Sequence, residues 1–314
     1  MFDELAPMNV AELMDRAIDA YKKSFWKQIA YAAVVGVIFF ISVFVFAFTA
    51  TFAALFSGVF GEGSGIAVVV MLLVVLLPLF ILWLGFSSAG HILITRRALF
   101  GHLLHLPRIQ IHIMALRACS AIIAQIFVFL PISVAVFFVF RVSYVPLLNN
   151  FINSPELNWP SLVIFLMISL FIGAVFLLVA NIFTLSVAAA MFEGKLFFGA
   201  LIRSWELMKG DFWKIFGTRL LWYLAAFVLV SSVQGILGLL WFAVGVLLGT
   251  SPAVISIIII PVGFASTIFS FIASFAQIPM DGIMQAVIYY NQRIKKDGLD
   301  MELKLKMLRQ KRAA

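Results

Sequence analysis

Polar side chains recur at helical spacing along the apolar run 253–290. The positions, three or four residues apart, carry hydroxyl, amide or carboxylate groups: Ser266, Ser270, Ser274, Gln277, Asp281 and Gln285. Such residues share one face of an α-helix. Because unpaired polar groups are costly in lipid, this polar stripe is expected to point into a helix bundle or a water-filled cavity. Asp281, the only acid well inside a predicted span, suits binding of a cation, a proton or a polar headgroup.

Other polar residues fall at a similar depth in neighbouring apolar runs, which predicts a polar cavity open to the cytoplasm. Its candidate residues are Asp281, Gln277, Gln285, Ser274, Asn181 and Arg219. The alternative is that these groups hold helices together, with Asp281 paired to Arg219 or lying at the membrane interface. Interhelical hydrogen bonds of about 0.6–2 kcal/mol each are common in membrane proteins without any catalytic role.

No complete catalytic, cofactor-binding or metal-binding set is found in the sequence. The four histidines cluster around the link 96–118, and interfacial or pH-responsive roles are favoured over metal binding for them: His91, His102, His105 and His112. A glycine-rich phosphate loop, a Ser/His/Asp arrangement and a Cys-x-x-Cys pair are all missing from the sequence. Cys119, the single cysteine, is expected to be a reduced thiol. We therefore expect a protein that is not an enzyme and needs no cofactor.

Six long apolar runs would position these residues. They cover about 29–58, 66–95, 119–140, 161–192, 215–249 and 253–290, and about 20 apolar residues suffice to cross the hydrocarbon core. Hydrophobic residues make up 64% of the chain and charged residues 11%, whereas soluble domains carry about 25% charged residues. The predicted fold is all-α: six transmembrane helices in three hairpins, with amphipathic interfacial helices. The predicted divisions are a cytoplasmic N-terminal helix (1–28), a membrane domain (29–290) and a basic tail (291–314).

The distribution of basic residues predicts the orientation. Of the 22 lysines and arginines, all but Arg141 precede span one, follow span six or lie in or around the links after spans two and four. The positive-inside rule then places both termini in the cytoplasm, in a multi-pass protein of the cell membrane. The same rule accounts for the net charge of +8 without nucleic acid as a partner. The basic tail is expected to bind anionic lipids.

Two segments, 17–29 and 204–216, align without gaps at an offset of 187 residues. Both contain an aromatic pair followed by lysine, a motif suited to the membrane interface: Phe25, Trp26, Lys27 and Phe212, Trp213, Lys214. This indicates a parallel internal repeat, unless membrane entry points have converged on the same residues. Ser24 and Asp211 are predicted N-caps of the helices that enter the membrane. Residues 9–24 and 195–209 are predicted to be amphipathic helices lying in the headgroup layer. The predicted apolar face of the second comprises Leu196, Phe197, Leu201, Trp205 and Met208.

The segments "SWELMKGDFWKIFG" (204–217) and "IYYNQRIKKDGLDMEL" (288–303) resemble the membrane domain that accompanies bacterial glycerophosphoryl diester phosphodiesterases. The resemblance implies a bacterial membrane module alone, because the catalytic barrel of roughly 250 residues and its His-Arg-Gly motif are missing from the sequence. In that family an aspartate is expected after the paired tyrosines, whereas this chain has Asn291.

The leading hypothesis is a non-catalytic membrane module that serves as scaffold or partner subunit of an envelope, secretion or lipid-linked system. Its partners would be the lipid bilayer and another membrane protein. One alternative is a permease or export subunit that uses the polar stripe as its path. A weaker alternative is a membrane-embedded lipid enzyme, for which only Asp281 and His91 qualify.

Overall fold

The computed structural model describes residues 7–60, 64–100, 110–153, 159–247 and 278–299, together with Met301 and Leu305. Seven helices are delimited in it: α1 (Val10–Phe60), α2 (Ser64–Phe100), α3 (Gln110–Asn153), α4 (Trp159–Ile182), α5 (Ser186–Glu193), α6 (Phe198–Met208) and α7 (Phe212–Leu247). An eighth helical stretch, α8, is described over 278–297. These ranges contain helices, turns and short links but no strand.

Long apolar helices dominate the described part of the chain. Four segments are long and apolar enough to cross a membrane: Val10–Val45, Val74–Phe100, His112–Val134 and Leu170–Glu193. The chain is therefore an all-helical, multi-pass membrane protein, as predicted. Helix α7 includes residues 215–247 of the predicted fifth span, but most of the sixth lies outside the described residues. The count of six spans and the three-hairpin arrangement thus stay predictions.

Helix α1 is continuous from Val10 to Phe60. A capping box begins it, in which the Asn9 side chain accepts a hydrogen bond from the Glu12 N–H and the Glu12 carboxylate accepts one from the Asn9 N–H. The prediction of a separate N-terminal helix lying in the headgroup layer is therefore wrong, because the same helix continues into the first span. Its buried positions form one face that packs on protein: Leu13, Ala17, Ala20, Ser24, Gln28 and Ala32.

Continuity of α1 also changes the role of Ser24. Its hydroxyl donates to the Ala20 carbonyl oxygen at 2.6 Å, a bond within the helix. The prediction of Ser24 as an N-cap is wrong, because the helix has no end at this position. Asp211, which aligns with Ser24 at the offset of 187, does directly precede α7, and its carbonyl accepts the Ile215 N–H at 3.0 Å.

The predicted fourth span is interrupted between α4 and α5. The hydroxyl of Ser204 on α6 accepts a hydrogen bond from the Leu185 N–H at 3.2 Å and donates to the Ile182 carbonyl at 2.7 Å. The Gln125 amide on α3 donates to the Phe183 carbonyl at 3.0 Å. Backbone groups released by a break in a membrane helix need such partners, so neighbouring helices stabilise this break.

Helix α6 is amphipathic, although its faces differ from the prediction. Leu201 and Met208 are buried as expected, whereas Trp205 is exposed together with Phe198 and Ile202 on the opposite face. Leu196 and Phe197 precede the first helical residue, so helical spacing does not apply to them. The exposed apolar face is typical of a helix at a membrane interface.

The core is at one end of the bundle, and small residues are frequent where its helices meet. Helix pairs α1–α2, α2–α3 and α3–α5 make the most extensive contacts. Buried alanines line them: Ala17, Ala20, Ala89, Ala115, Ala118, Ala121, Ala188, Ala189 and Ala190. Small side chains let membrane helices approach closely, and dispersion contacts then hold them together. Cys119, a free thiol, is buried in this region.

Candidate functional site: a polar junction at the broken helix

Polar groups from the end of α4, the break that follows it, α7 and α8 meet at one place, which we call the polar junction. It comprises Asn181, Thr184, Arg219, Tyr223, Asp281 and Gln285. Its centre is the carboxylate of Asp281, which forms an ion pair with Arg219 Nη2 at 3.1 Å. The Tyr223 hydroxyl also donates to this carboxylate, and Gln285 Nε2 donates at 2.5 Å.

Arg219 joins the carboxylate to the break between α4 and α5. Its Nη1 donates to Asn181 Oδ1 at 3.2 Å and to the Thr184 hydroxyl. Its Nη2 also donates to the Tyr223 hydroxyl at 2.7 Å. Only 12% of the Arg219 side chain is exposed, so its charge depends on these neighbours. One arginine thus connects the end of α4 with α7 and α8.

Hydrogen-bonding capacity remains unused in the polar junction. Two donors, Arg219 Nε and Asn181 Nδ2, and one acceptor, Gln285 Oε1, are buried and have no partner within the part of the chain that the structure describes. Orphaned buried groups of this kind are uncommon, since each carries a desolvation cost of about 1–3 kcal/mol. They mark this place as one with capacity for a ligand or for water.

The structure brings together four of the six predicted cavity residues: Asn181, Arg219, Asp281 and Gln285. Ser274 and Gln277, like Ser266 and Ser270, lie outside the described residues. Sequence reasoning missed Thr184 and Tyr223. A hydroxyl beside a helix end is inconspicuous, and a tyrosine in an apolar run resembles an interface anchor. The spacing of Tyr223 four residues after Arg219 was the available signal.

A second set of charges, the charged cluster, joins α5, α6 and α8. Arg203 Nε is 2.7 Å from the Glu193 carboxylate, and its Nη2 is 2.5 Å from Asp297. Arg293 pairs with Asp297 at 3.0 Å, and the Tyr289 hydroxyl donates to Glu193 at 3.1 Å. Burial by itself lowers the pKa of Arg203, but its two carboxylate partners raise that pKa above the ordinary range. The cluster is thus a set of paired charges between three helices.

His91 is buried away from the polar junction. Its Nδ1 is 2.5 Å from Gln28 Oε1, while Gln28 Nε2 donates to the Thr95 hydroxyl at 3.0 Å. Gly282 packs on His91, whereas the preceding Asp281 faces Arg219. His91, on α2, therefore packs against a different face of α8 from the one that carries Asp281, so the two residues of the lipid-enzyme alternative are not brought together. His112 is exposed, and His102 and His105 lie outside the described residues.

The two interfacial motifs have the same local geometry. In each, the phenylalanine and tryptophan ring centroids are 5.3 Å apart in an edge-to-face arrangement. Trp26 is 78% exposed and Trp213 72%. Lys27 is exposed, whereas Lys214 Nζ donates to the Met8 carbonyl at 2.8 Å. Tyr289 and Tyr290 on α8 have the same ring geometry, so the internal repeat stays a prediction.

Asn291 has a structural partner in this chain. Its Oδ1 accepts a hydrogen bond from the Met8 N–H at 2.8 Å, and the residue is fully buried. The side chain that follows the paired tyrosines therefore attaches the segment before α1 to helix α8.

Fold and site together define a multi-pass, all-helical membrane protein with a polar junction at a broken helix. Within the described ranges no group of three or more His, Cys, Asp or Glu residues could hold a metal ion. Neither protein-family models, nor curated protein sequences, nor solved structures match the chain.

Proposed function

We propose that this protein is a non-catalytic membrane module that acts as scaffold or partner subunit of an envelope, secretion or lipid-linked system. The resemblance to a membrane domain that accompanies a separate enzyme leads to the same proposal. The proposal includes three further expectations: six spans, both termini in the cytoplasm and a bacterial origin.

The observation that carries the proposal is the pairing of Asp281. This carboxylate accepts hydrogen bonds from Arg219, Tyr223 and Gln285, all within the chain. A carboxylate that accepts hydrogen bonds from three side chains of the same protein holds helices together. It is poorly placed to exchange protons or to attack a substrate. Together with the charged cluster, it favours a rigid helical platform over a catalytic centre.

The test is isolation of the tagged chain from its own host in a mild detergent, followed by native mass spectrometry. We expect a second protein at fixed stoichiometry that also retrieves this chain when the partner carries the tag. An unrelated multi-pass protein with the same tag, purified in parallel, is the control. A chain that is recovered alone under every mild condition would contradict the proposal.

A permease or export subunit is the second candidate, favoured by the break between α4 and α5. Discontinuous membrane helices next to polar side chains are common at transporter binding sites. The unpartnered Asn181 and Arg219 nitrogens lie at this break. In that case Asp281→Asn would abolish uptake or export of the substrate while the protein remains inserted at normal levels. Unchanged transport in this variant would exclude the polar junction as a path.

A further inference from the structure

The polar junction opens sideways onto an apolar surface. The side chain of Asp281 is 40% exposed and Tyr223 is 41% exposed. Their neighbours on the outer face of α7 are exposed apolar residues, which we expect to contact lipid chains: Leu220, Leu224 and Phe227. Three internal donors leave about one of the four acceptor positions of this carboxylate unused. An exposed acceptor beside an apolar surface favours a further polar group that covers it.

The depth of the junction fits a lipid headgroup. Trp213 is exposed near the start of α7, and tryptophan favours the membrane interface. Arg219 follows it along the same helix by about 9 Å. The junction therefore lies within two helical turns of the level that tryptophan marks. Long cationic side chains at this depth reach polar headgroups readily.

The junction has unpartnered donors on one side and an unpartnered acceptor on the other. Arg219 Nε and Asn181 Nδ2 are donors, suited to phosphate oxygens. Gln285 Oε1 is an unpartnered acceptor next to the Asp281 carboxylate and the Tyr223 oxygen. Three acceptors match the three N–H groups of a primary ammonium. Asp281 and Tyr223 are partly exposed, so a headgroup would enter the junction beside them.

We propose that the polar junction binds the headgroup of a phospholipid that carries a primary amine, of the phosphoethanolamine type. The ammonium is held by Asp281, Tyr223 and Gln285, and the phosphate by Arg219 and Asn181. The acyl chains lie along the outer face of α7. A purely anionic headgroup would meet the Asp281 carboxylate, and a quaternary ammonium has no N–H to donate.

The test compares lipids that differ only in the headgroup. Delipidated full-length protein in detergent is titrated with phosphatidylethanolamine, phosphatidylcholine and phosphatidylglycerol of identical acyl chains, and bound lipid is counted by native mass spectrometry. We expect phosphatidylethanolamine to bind at least about tenfold more tightly, as one charge-assisted hydrogen bond allows. Equal affinity for the three lipids would overturn the proposal. So would competition by soluble phosphoethanolamine at the same concentration, which would indicate a water-soluble ligand.

Two variants locate the site. Gln285→Met removes the free acceptor at nearly constant size, and we expect it to reduce the preference for the amine lipid. Asp281→Asn should abolish that preference, with thermal unfolding of the empty protein recorded to confirm folding. Glu206→Gln, a change at an exposed carboxylate outside the junction, is the matched control and should bind like the unaltered protein. A preference that survives both junction variants would refute the assignment.

Discussion

At the scale of single residues, Gly282 determines how closely α2 and α8 approach. A Cβ at this position would lie 2.6 Å from the Cβ of His91. Gly282→Ala should therefore force the two helices apart and lower the unfolding free energy by about 1–3 kcal/mol. Thermal unfolding in detergent measures the effect.

Gly217 is the matched control for this substitution, since it is also helical but has no atom within 4 Å of a built Cβ. Gly217→Ala should leave stability unchanged or raise it by up to about 1 kcal/mol, because alanine favours the helix. Equal destabilisation by the two substitutions would contradict the close approach of α2 and α8.

Asp297 makes the charged cluster sensitive to acid. Burial by itself raises the pKa of this carboxyl, but hydrogen bonds from Arg203 and Arg293 lower the pKa below its ordinary value of 3.8. A lowered folded-state pKa stabilises the protein at pH above 3.8, and this contribution is lost as the pH falls through the folded-state value. Asp297→Asn should thus cost about 1–2 kcal/mol at pH 7.

Unfolding temperatures of the two proteins, measured from pH 7 downward, test this assignment. The difference between them should shrink as the pH falls below 3.8. A difference that stays constant over the whole titration would show that Asp297 contributes through something other than its charge.

At the scale of helices, one glycine distinguishes the two segments that align at an offset of 187 residues. Gly210 adopts a φ of +93°, a left-handed conformation that allows the turn between α6 and α7. Its counterpart at the offset of 187 is Lys23, which favours a helix and lies within the unbroken α1. The same motif therefore contains a turn in one copy and a continuous helix in the other.

Gly210→Ala should destabilise the turn through backbone strain alone, because no atom lies within 4 Å of a built Cβ. The expected cost is about 1–2 kcal/mol, the penalty for an L-residue in the left-handed region. Thermal unfolding checks it against Gly199→Ala within α6, where the backbone is helical. A stabilising effect at position 210 would show that the turn relaxes into a helix.

The sequence was informative about helices and polar positions but not about helix ends. Apolar length predicted the long helices, and polar residues in apolar runs revealed Asn181, Arg219, Asp281 and Gln285. The break after α4 was not predictable locally, because it depends on Ser204 and on a glutamine from α3. The charged cluster was missed for a similar reason, since Glu193 and Asp297 are far apart in the chain.

At the scale of the whole molecule, the orientation of the bundle is open to direct test. We expect Lys22 and Lys209 on the cytoplasmic side and Ser64 on the opposite side, following the positive-inside rule. Single cysteines at these positions, in a Cys119→Ser background, are labelled with a membrane-impermeant maleimide in intact cells. Only Ser64→Cys should react before permeabilisation.

Permeabilised cells supply the control, because all three cysteines should then be labelled to the same extent. Labelling of Lys22→Cys in intact cells would show that the orientation is the reverse of the predicted one. Different behaviour of Lys22→Cys and Lys209→Cys would contradict the parallel repeat, which requires both copies to enter the membrane from the same side.

The continuous α1 helix has a mechanical consequence. Its 51 residues extend about 75 Å at 1.5 Å per residue, beyond a bilayer of about 40–45 Å. At its start, Met8 is hydrogen-bonded to Asn291 and to Lys214, so this end is fastened to α7 and α8. A long helix attached at one end transmits motion along its length. A tilt of the far end of α1 would therefore displace α7 and α8, the two helices that carry Arg219 and Asp281.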